Sequence, residues 1–589
     1  MKKYLYTILL TLSLFTLFGF NAFNHTIDNQ QKNKNLVNID LKTSQSSQQV
    51  NQQYQASKTY NDNEQGLSKN YHGHIERRPE LPLNRNKEKE NPQYKQIQLL
   101  GINDLHGQLN VTRQVNGKPA GRADYLAAYL LQRTHENKNT LFVHVGDMIG
   151  ASPPISSLLQ DEPTIEFLNT INITIGTVGN HEFDKGIAEL LLLINGGKHE
   201  ATGDFAGSQF PWVAANVIDK KTGKTILPPY KILKNNGMKL GFIGVVTTDT
   251  PSLVVPSGVE GITFLDEAES INKAAAELKE QGVKAIIVLA HNPGTSKDNG
   301  EQATGEIVNI AKAVDDEVDI IFGGHNHAYL NAFVDGKLLV QSYSYGTAFS
   351  DVDIEIDPQT GDIVGKRSEI VTVYQEGISP HPETKQMIEK YEEKIEPIVS
   401  RVIGTAETSI TAAQNENGES ALGNLIADAQ REAMKADIAL MNPGGIRADL
   451  DAGEVTWRQL YVVQPFKNNL IKMSLTGQQI QKILNQQWQA SRTKMLQISG
   501  FTYTWDANQP AGAKIISMQL PDRSDMDPNK SYTVVANAFL AEGGDNFTGF
   551  RKGKNRKTGP VDVDALVDYI KSMKHPFAAQ IEGRIQQIN

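Results

Sequence analysis

Five short polar motifs, each placed directly after an apolar run, constrain this chain more than any other feature. They occupy 103–107 (Asn-Asp-Leu-His-Gly), 146–147 (Gly-Asp), 179–184 (Gly-Asn-His-Glu-Phe-Asp), 291–294 (His-Asn-Pro-Gly) and 323–327 (Gly-Gly-His-Asn-His). The apolar runs lie at 97–102, 141–145, 174–178, 285–290 and 318–322, with a further one at 239–246. Stretches between them, such as 124–133 and 267–281, place apolar residues at helical spacing. Strand–helix alternation up to about residue 371 predicts an α/β layered domain, whose sites gather at the carboxyl ends of strands.

The motifs bring seven nitrogen and oxygen donors: Asp104, His106, Asp147, Asn180, His291, His325 and His327. That is enough for two metal ions. Hydrolysis by two metals needs a bridging carboxylate, terminal ligands and an open edge for substrate. Asp147, at the end of a very apolar strand, is the expected bridge. Asp104 and His106 are separated by one residue, as are His325 and His327. On an extended backbone each pair would point the same way. A single strand-end histidine is more often a structural hydrogen-bonding residue, but five such motifs in this order do not suit that reading. The chain contains no cysteine, which excludes thiolate ligands, disulfides and a thiol nucleophile. The donor set suits two divalent ions such as zinc, manganese or magnesium.

A chain of 589 residues is too long for one core, so two domains with extra segments are expected. Its 39% hydrophobic and 21% charged content suits a soluble globular protein. A net charge of -9 argues against a nucleic-acid polymer as partner, but not against a small phosphorylated substrate. Met1-Lys2-Lys3 precedes an apolar run over 4–20, which reads as a signal peptide at 1–23. An uncleaved anchor is the alternative, and no other membrane partner is expected. Residues 24–94, rich in Asn, Gln, Ser and Lys, are expected to form a disordered spacer. The last residues are polar and carry no hydrophobic sorting tail. An exported protein is therefore expected: secreted, periplasmic or on the cell surface. A charged, helical stretch falls within 373–402 and reads as a linker helix with a solvated face. An α+β second domain follows over 403–589.

The order Asp-x-His, Gly-Asp, Gly-Asn-His-Glu, His, Gly-His-x-His resembles the calcineurin-like metallophosphoesterases. The longer form Gly-Asn-His-Glu-Phe-Asp, with a second domain behind it, resembles the 5′-nucleotidase family over about 94–589. The resemblance implies a four-layer αββα sandwich at 95–372 and a C-terminal nucleotide-binding domain. It implies that Asp104, His106, Asp147 and His327 hold one metal, and Asp147, Asn180, His291 and His325 the other. His181 would then act on the phosphoryl group or the leaving oxygen, with Asp184 orienting it. A helix N-cap is the other reading of Asp184. Two aromatics can sandwich a base, an Asp can accept from ribose hydroxyls, and an Arg can bind phosphate. Phe466 and Phe539 match the family's base clamp, although each could instead be a core residue. Asp545 matches its ribose contact and Arg447 its phosphate contact, with Asn442 and Asn468 nearby. Pro443 and Lys467 stand where the family usually has Gly, and 418–424 lacks an Arg that many members carry. Lys467 is the candidate replacement for that cation. The implied activity is hydrolysis of nucleoside 5′-phosphates by a water activated on two metals. Cleavage of 2′,3′-cyclic nucleotides with 3′-nucleotidase activity, UDP-sugar hydrolysis, or a surface nucleotide-binding or adhesion role are the alternatives.

Overall fold

In this computed structural model, residues 93–489 and 493–588 are described. The signal peptide expected at 1–23, and all but the last two residues of the expected spacer, lie outside the described residues.

The apolar runs are apolar throughout because both of their faces are buried. Ile97 and Leu99 enter one core, while Leu100 and Ile102 enter another. The first sheet has six strands, ordered Ile363–Thr372, Ala348–Ile356, Lys95–Ile102, Thr140–Val145, Ile175–Thr177 and Trp212–Val213. The second is ordered Tyr230–Asn235, Met238–Val246, Ala285–His291, Val318–Phe322, Lys337–Ser342 and Tyr329–Val334. The two sheets share a core, with Leu99, Val143 and Ile175 from one and Phe242, Ile287 and Phe322 from the other. Helices Glu267–Glu280 and Glu306–Ala313 cover the second sheet through Ile271, Leu278 and Ile307. Helices Ala123–Glu136 and Glu162–Thr170 cover the first through Leu126, Leu130 and Phe167. The result is the αββα sandwich that the resemblance implied. In each sheet the strands that precede the motifs run parallel, so their carboxyl ends meet along one edge.

Helix Pro382–Val399 is not solvated all round. It buries Met387, Ile388, Tyr391, Ile395 and Val399 at helical spacing and leaves its charges outside. Asn110 donates to Glu392 at 2.7 Å, and the Tyr391 hydroxyl donates to Glu166, which fastens the helix to the sandwich. On its other side Arg458 pairs with Glu396 at 3.2 Å. The C-terminal domain is built on a five-stranded sheet ordered Gln497–Ser499, Ile438–Met441, Ser531–Asn537, Asn469–Thr476 and Lys554–Val561. Among the described residues no helix is long and apolar enough to cross a membrane.

Candidate metal centre

Asp104, His106, Asp147, His325 and His327 all have positive φ, at 50°, 49°, 51°, 81° and 56°. The extended Asp-x-His and His-x-His pairs expected from the sequence are therefore not what the chain forms. Strand Lys95–Ile102 ends before Asp104, and Val318–Phe322 ends before His325. Each left-handed residue costs about 1–3 kcal/mol and persists only where surrounding bonds over-determine it. Those bonds are present. Asp104 N–H donates to Gly146 O at 3.1 Å and His106 N–H to Asp147 O at 2.9 Å. His325 N–H donates to the Asp104 carboxylate at 2.9 Å, and His181 N–H to Asp147 Oδ1 at 2.8 Å. The Gly146 and Gly179 loops touch so closely that a Cβ on Gly146 would lie 2.3 Å from Gly179 N.

Glu182, to which the sequence reading gave no role, ties these loops together. Its buried carboxylate accepts from the N–H groups of Asp147 and Met148, both at 2.8 Å, and of Gly179 at 2.5 Å. Burial, reinforced by Asp147, pushes its pKa up to about 7. Its place inside the Gly-Asn-His-Glu motif was the signal for it.

The expected ligands converge as two groups about Asp147. Asp104, His106 and His327 bring donor atoms within 4.8 Å of one another, as do Asp147, His291 and His325. His106 Nε2 is 3.8 Å and His291 Nε2 is 3.2 Å from Asp147 Oδ2. Asn180 Oδ1 lies 2.8 Å from His325 Nδ1. His181 also falls into a group with His106 and Asp147.

The donor atoms fit cations. His291 Nδ1 lies 2.7 Å from Val145 O, which makes Nδ1 the protonated nitrogen. That turns the buried Nε2 toward the Asp147 carboxylate. His106 does the same, with Nδ1 2.9 Å from Gly150 O and Nε2 3.2 Å from His327 Nε2. Donor atoms facing one another in a buried site need positive charge between them. Without a cation a proton supplies it: against its burial, Asp147 pushes His291 up to about 10. Burial alone would raise the Asp147 pKa, but His291, His181 and His106 outweigh it and hold it well below the usual carboxylate value. Burial pushes Asp104 up to about 7 and lowers His106 to about 3.

His181 Nδ1 and Asp184 Oδ2 are 2.8 Å apart. Helix Ile187–Asn195 has Gly186 at its N-cap and no side-chain cap, so the capping reading of Asp184 is not what forms. Burial disfavours the imidazolium, but Asp184 and Asp147 outweigh it and raise the His181 pKa to about 9.

A cavity of about 740 Å³ opens beside His181 and Asp184 and is also lined by Asn442, Arg447, Phe466, Asn468, Phe539 and Asp545. All six expected substrate residues thus face one space. Phe466 stacks toward His181, with ring centroids 6.2 Å apart at 21°. Phe539 lies against Gly544, where a Cβ would meet its ring at 2.5 Å. Both rings are only half-buried rather than sunk in the core. Asp545 is buried and doubly held. Asn442 Nδ2 donates to Oδ2 at 3.1 Å, and Lys494 Nζ to Oδ1 at 2.5 Å. Asn537 in turn donates to Asn442 at 2.9 Å. Arg447 is exposed, and among the described residues its side chain makes no hydrogen bond or ion pair. Lys467, at φ 52°, occupies a left-handed position that glycine would take freely, and its ammonium stands 5.6 Å from the Tyr461 ring. In the 418–424 stretch, Glu419 is buried and accepts from Asn424 at 2.7 Å, so it supports structure.

Asp562 lies behind the loop that carries Phe466, its N–H donating to Asn468 O at 2.8 Å. Burial pushes its carboxyl up to about 8. An unfolded aspartate ionises near about pH 4, so between the two values folding must retain a proton and stability falls as pH rises. Asp562→Asn is expected to flatten that decline and to melt higher than the parent at pH 8 and above. Thermal melts from pH 5 to 9 would show this, and parallel curves would contradict it.

A family model for calcineurin-like phosphoesterases matches residues 97–329, and one for the 5′-nucleotidase C-terminal domain matches 402–552. Endonuclease YhcR of Bacillus subtilis is 45% identical over 504 residues, covering 83% of this chain and 41% of that protein. This chain thus spans less than half the length of that relative. Cell wall protein Lmo0130 of Listeria monocytogenes is 38% identical over 539 residues, covering 83% of this chain and 69% of that protein. The crystal structure of a 5′-nucleotidase precursor from Thermus thermophilus superposes with a TM-score of 0.70 at 28% identity, over 84% of this chain and 100% of that one. With both domain types in order and a relative of this similarity along most of its length, the chain belongs to the 5′-nucleotidase family of metallophosphoesterase hydrolases.

Proposed function

We propose that this chain is an exported nucleotide phosphohydrolase that releases phosphate from nucleoside 5′-phosphates. The observation that carries the reading is the shared cavity, which has His181, Asp184 and Arg447 on the same walls as Phe466, Phe539 and Asp545. The metallophosphoesterase fold implies divalent metals. Asp104, His106, Asp147 and His327 would hold one, and Asp147, Asn180, His291 and His325 the other. When bound, such ions acidify water and neutralise charge at phosphorus.

The remaining work falls to the chain itself. Arg447, close enough that its charge lowers the pKa of His106 and His327, is available to bind phosphate oxygens. With Nδ1 donating to Asp184, His181 has Nε2 left to deliver a proton to the departing ribose oxygen. Phe466 and Phe539 hold the base. Asp545, steadied by Asn442 and Lys494, accepts from ribose hydroxyls. The basic start and apolar run at 1–20 support export, as do relatives named as a cell wall protein and as snake venom 5′-nucleotidases.

Purified protein supplied with manganese or zinc is expected to release phosphate from AMP with a higher kcat/KM than from UDP-glucose, 3′-AMP or 2′,3′-cyclic AMP. A preference for one of the others would reassign the substrate, and no release from any would leave a binding protein. Base–aromatic stacking contributes about 1–3 kcal/mol. Phe539→Ala should therefore raise KM for AMP about tenfold and leave KM for p-nitrophenyl phosphate unchanged. Equal changes for both substrates would remove Phe539 from the clamp.

A further inference from the structure

Behind one wall of the substrate cavity lies a buried charge. Asp545 lines that cavity, whereas Lys494, which pairs with it, does not. Only 8% of Lys494 and 9% of Asp545 is exposed. A buried ammonium is costly on its own, so this position suits a lysine only because a carboxylate faces it. The proposed substrate is an anion, and a lone carboxylate in the wall of its cavity would repel it. Lys494 balances that charge from behind and leaves the acceptor in place.

Asp545 is held at two points by one short piece of chain. Lys494 N–H donates to Gln487 O at 2.8 Å, and a β-bridge joins Trp488 to Thr493, so these two limbs lie side by side. Gln487 is fully buried, and its Oε1 accepts from Leu496 N–H at 2.6 Å, which fixes the returning limb. From one limb Gln489 Nε2 donates to Asp545 O at 2.6 Å. From the other, Lys494 Nζ donates to Asp545 Oδ1 at 2.5 Å. Asp545 and Asn546 have φ of 54° and 63°, a left-handed pair that persists only where such bonds over-determine it. Asn442 takes Oδ2 at 3.1 Å. A carboxylate offers about four acceptor positions, so each oxygen keeps one for a hydroxyl.

We infer that Lys494 is a positioning residue that sets sugar specificity. It makes Asp545 a fixed, charge-balanced reader of the 2′ and 3′ hydroxyls, so that the site favours nucleotides that carry them. The inference rests on the nucleoside lying between Phe466 and Phe539, as proposed above. A sugar without those hydroxyls leaves the free Asp545 acceptors without a donor in a closed pocket, and such a substrate is rejected more strongly than lost contact alone would explain. Lys494 touches no part of the substrate and acts through Asp545 alone.

The test compares AMP with 2′,3′-dideoxy-AMP, which differ only in those hydroxyls, as a ratio of kcat/KM values. The parent protein should favour AMP about tenfold or more, the scale of one hydrogen bond to a charged group. Lys494→Met, similar in length and uncharged, should lower that ratio about fivefold or more, through KM for AMP rather than kcat. Because this variant leaves a buried carboxylate unpaired and risks its fold, a second pair is measured beside it. Asp545→Asn and Lys494→Met/Asp545→Asn should give the same low ratio, since Lys494 acts only through Asp545. A difference of more than about threefold between those two would overturn the inference. An unchanged ratio in Lys494→Met, or equal losses on both nucleotides, would overturn it and leave the nucleotidase reading standing. A parent protein that cleaves both nucleotides alike would do the same. No phosphate release from either by the parent protein would defeat the nucleotidase reading and the inference with it.

Discussion

Asp147→Asn is expected to lower kcat for AMP about 10³-fold or more, since loss of one preorganised electrostatic group already costs about 10²–10³. Of the proposed ligands, Asp147 alone belongs to both sets. Its Oδ2 faces both His106 Nε2 and His291 Nε2, and its Oδ1 accepts from His181 N–H. Asparagine keeps the Oδ1 bond and the volume, so the fold should persist. What it removes is the negative charge against which two cations would be held. Melting temperature and bound metal separate the possibilities. The expected variant melts cooperatively, holds fewer than two ions per chain and is nearly inactive. A variant that keeps two ions and full activity would show that Asp147 is not the bridge.

His181→Ala is expected to lower kcat about 10²–10⁴-fold, the usual contribution of a positioned acid, with KM for AMP changed far less. Asp184→Asn should cost less than this, and the double variant no more than His181→Ala alone, because Asp184 acts through the imidazole. A pH profile distinguishes this role from a structural one. Asp184 is the first of the groups that raise the His181 pKa against its burial. Removing its charge lowers that pKa, and the proton donor is then lost earlier as pH rises. The alkaline limb of kcat/KM should therefore move to lower pH in Asp184→Asn. An unmoved limb with a uniformly lower rate would make Asp184 a packing residue.

The layered fold and the clustering of donors were legible because five of the six apolar runs are parallel strands whose carboxyl ends carry a motif. The local geometry of the donors was not. A period of two holds only while the strand continues, and at Asp104 and His325 it has already ended, so the left-handed turns had no counterpart in the pattern. Hairpins were legible but unread. Asn116-Gly117, Asn236-Gly237 and Asp335-Gly336 all take positive φ at both residues. Such Asx-Gly pairs between short apolar stretches mark tight hairpins. Strand–helix alternation alone therefore missed the antiparallel outer strands. Lys494 could not have been found. It belongs to no motif and lies 51 residues from Asp545, so only folding brings the two together. Glu182 was visible in its motif, but buried carboxylates that clamp backbone N–H groups look the same in sequence as ligands do.

The most direct measurement is AMP hydrolysis by protein stripped of metal with a chelator and then titrated with manganese or zinc. The account predicts no phosphate release from the stripped protein and full recovery as two ions bind per chain. Hydrolysis at the full rate by the stripped protein would contradict it.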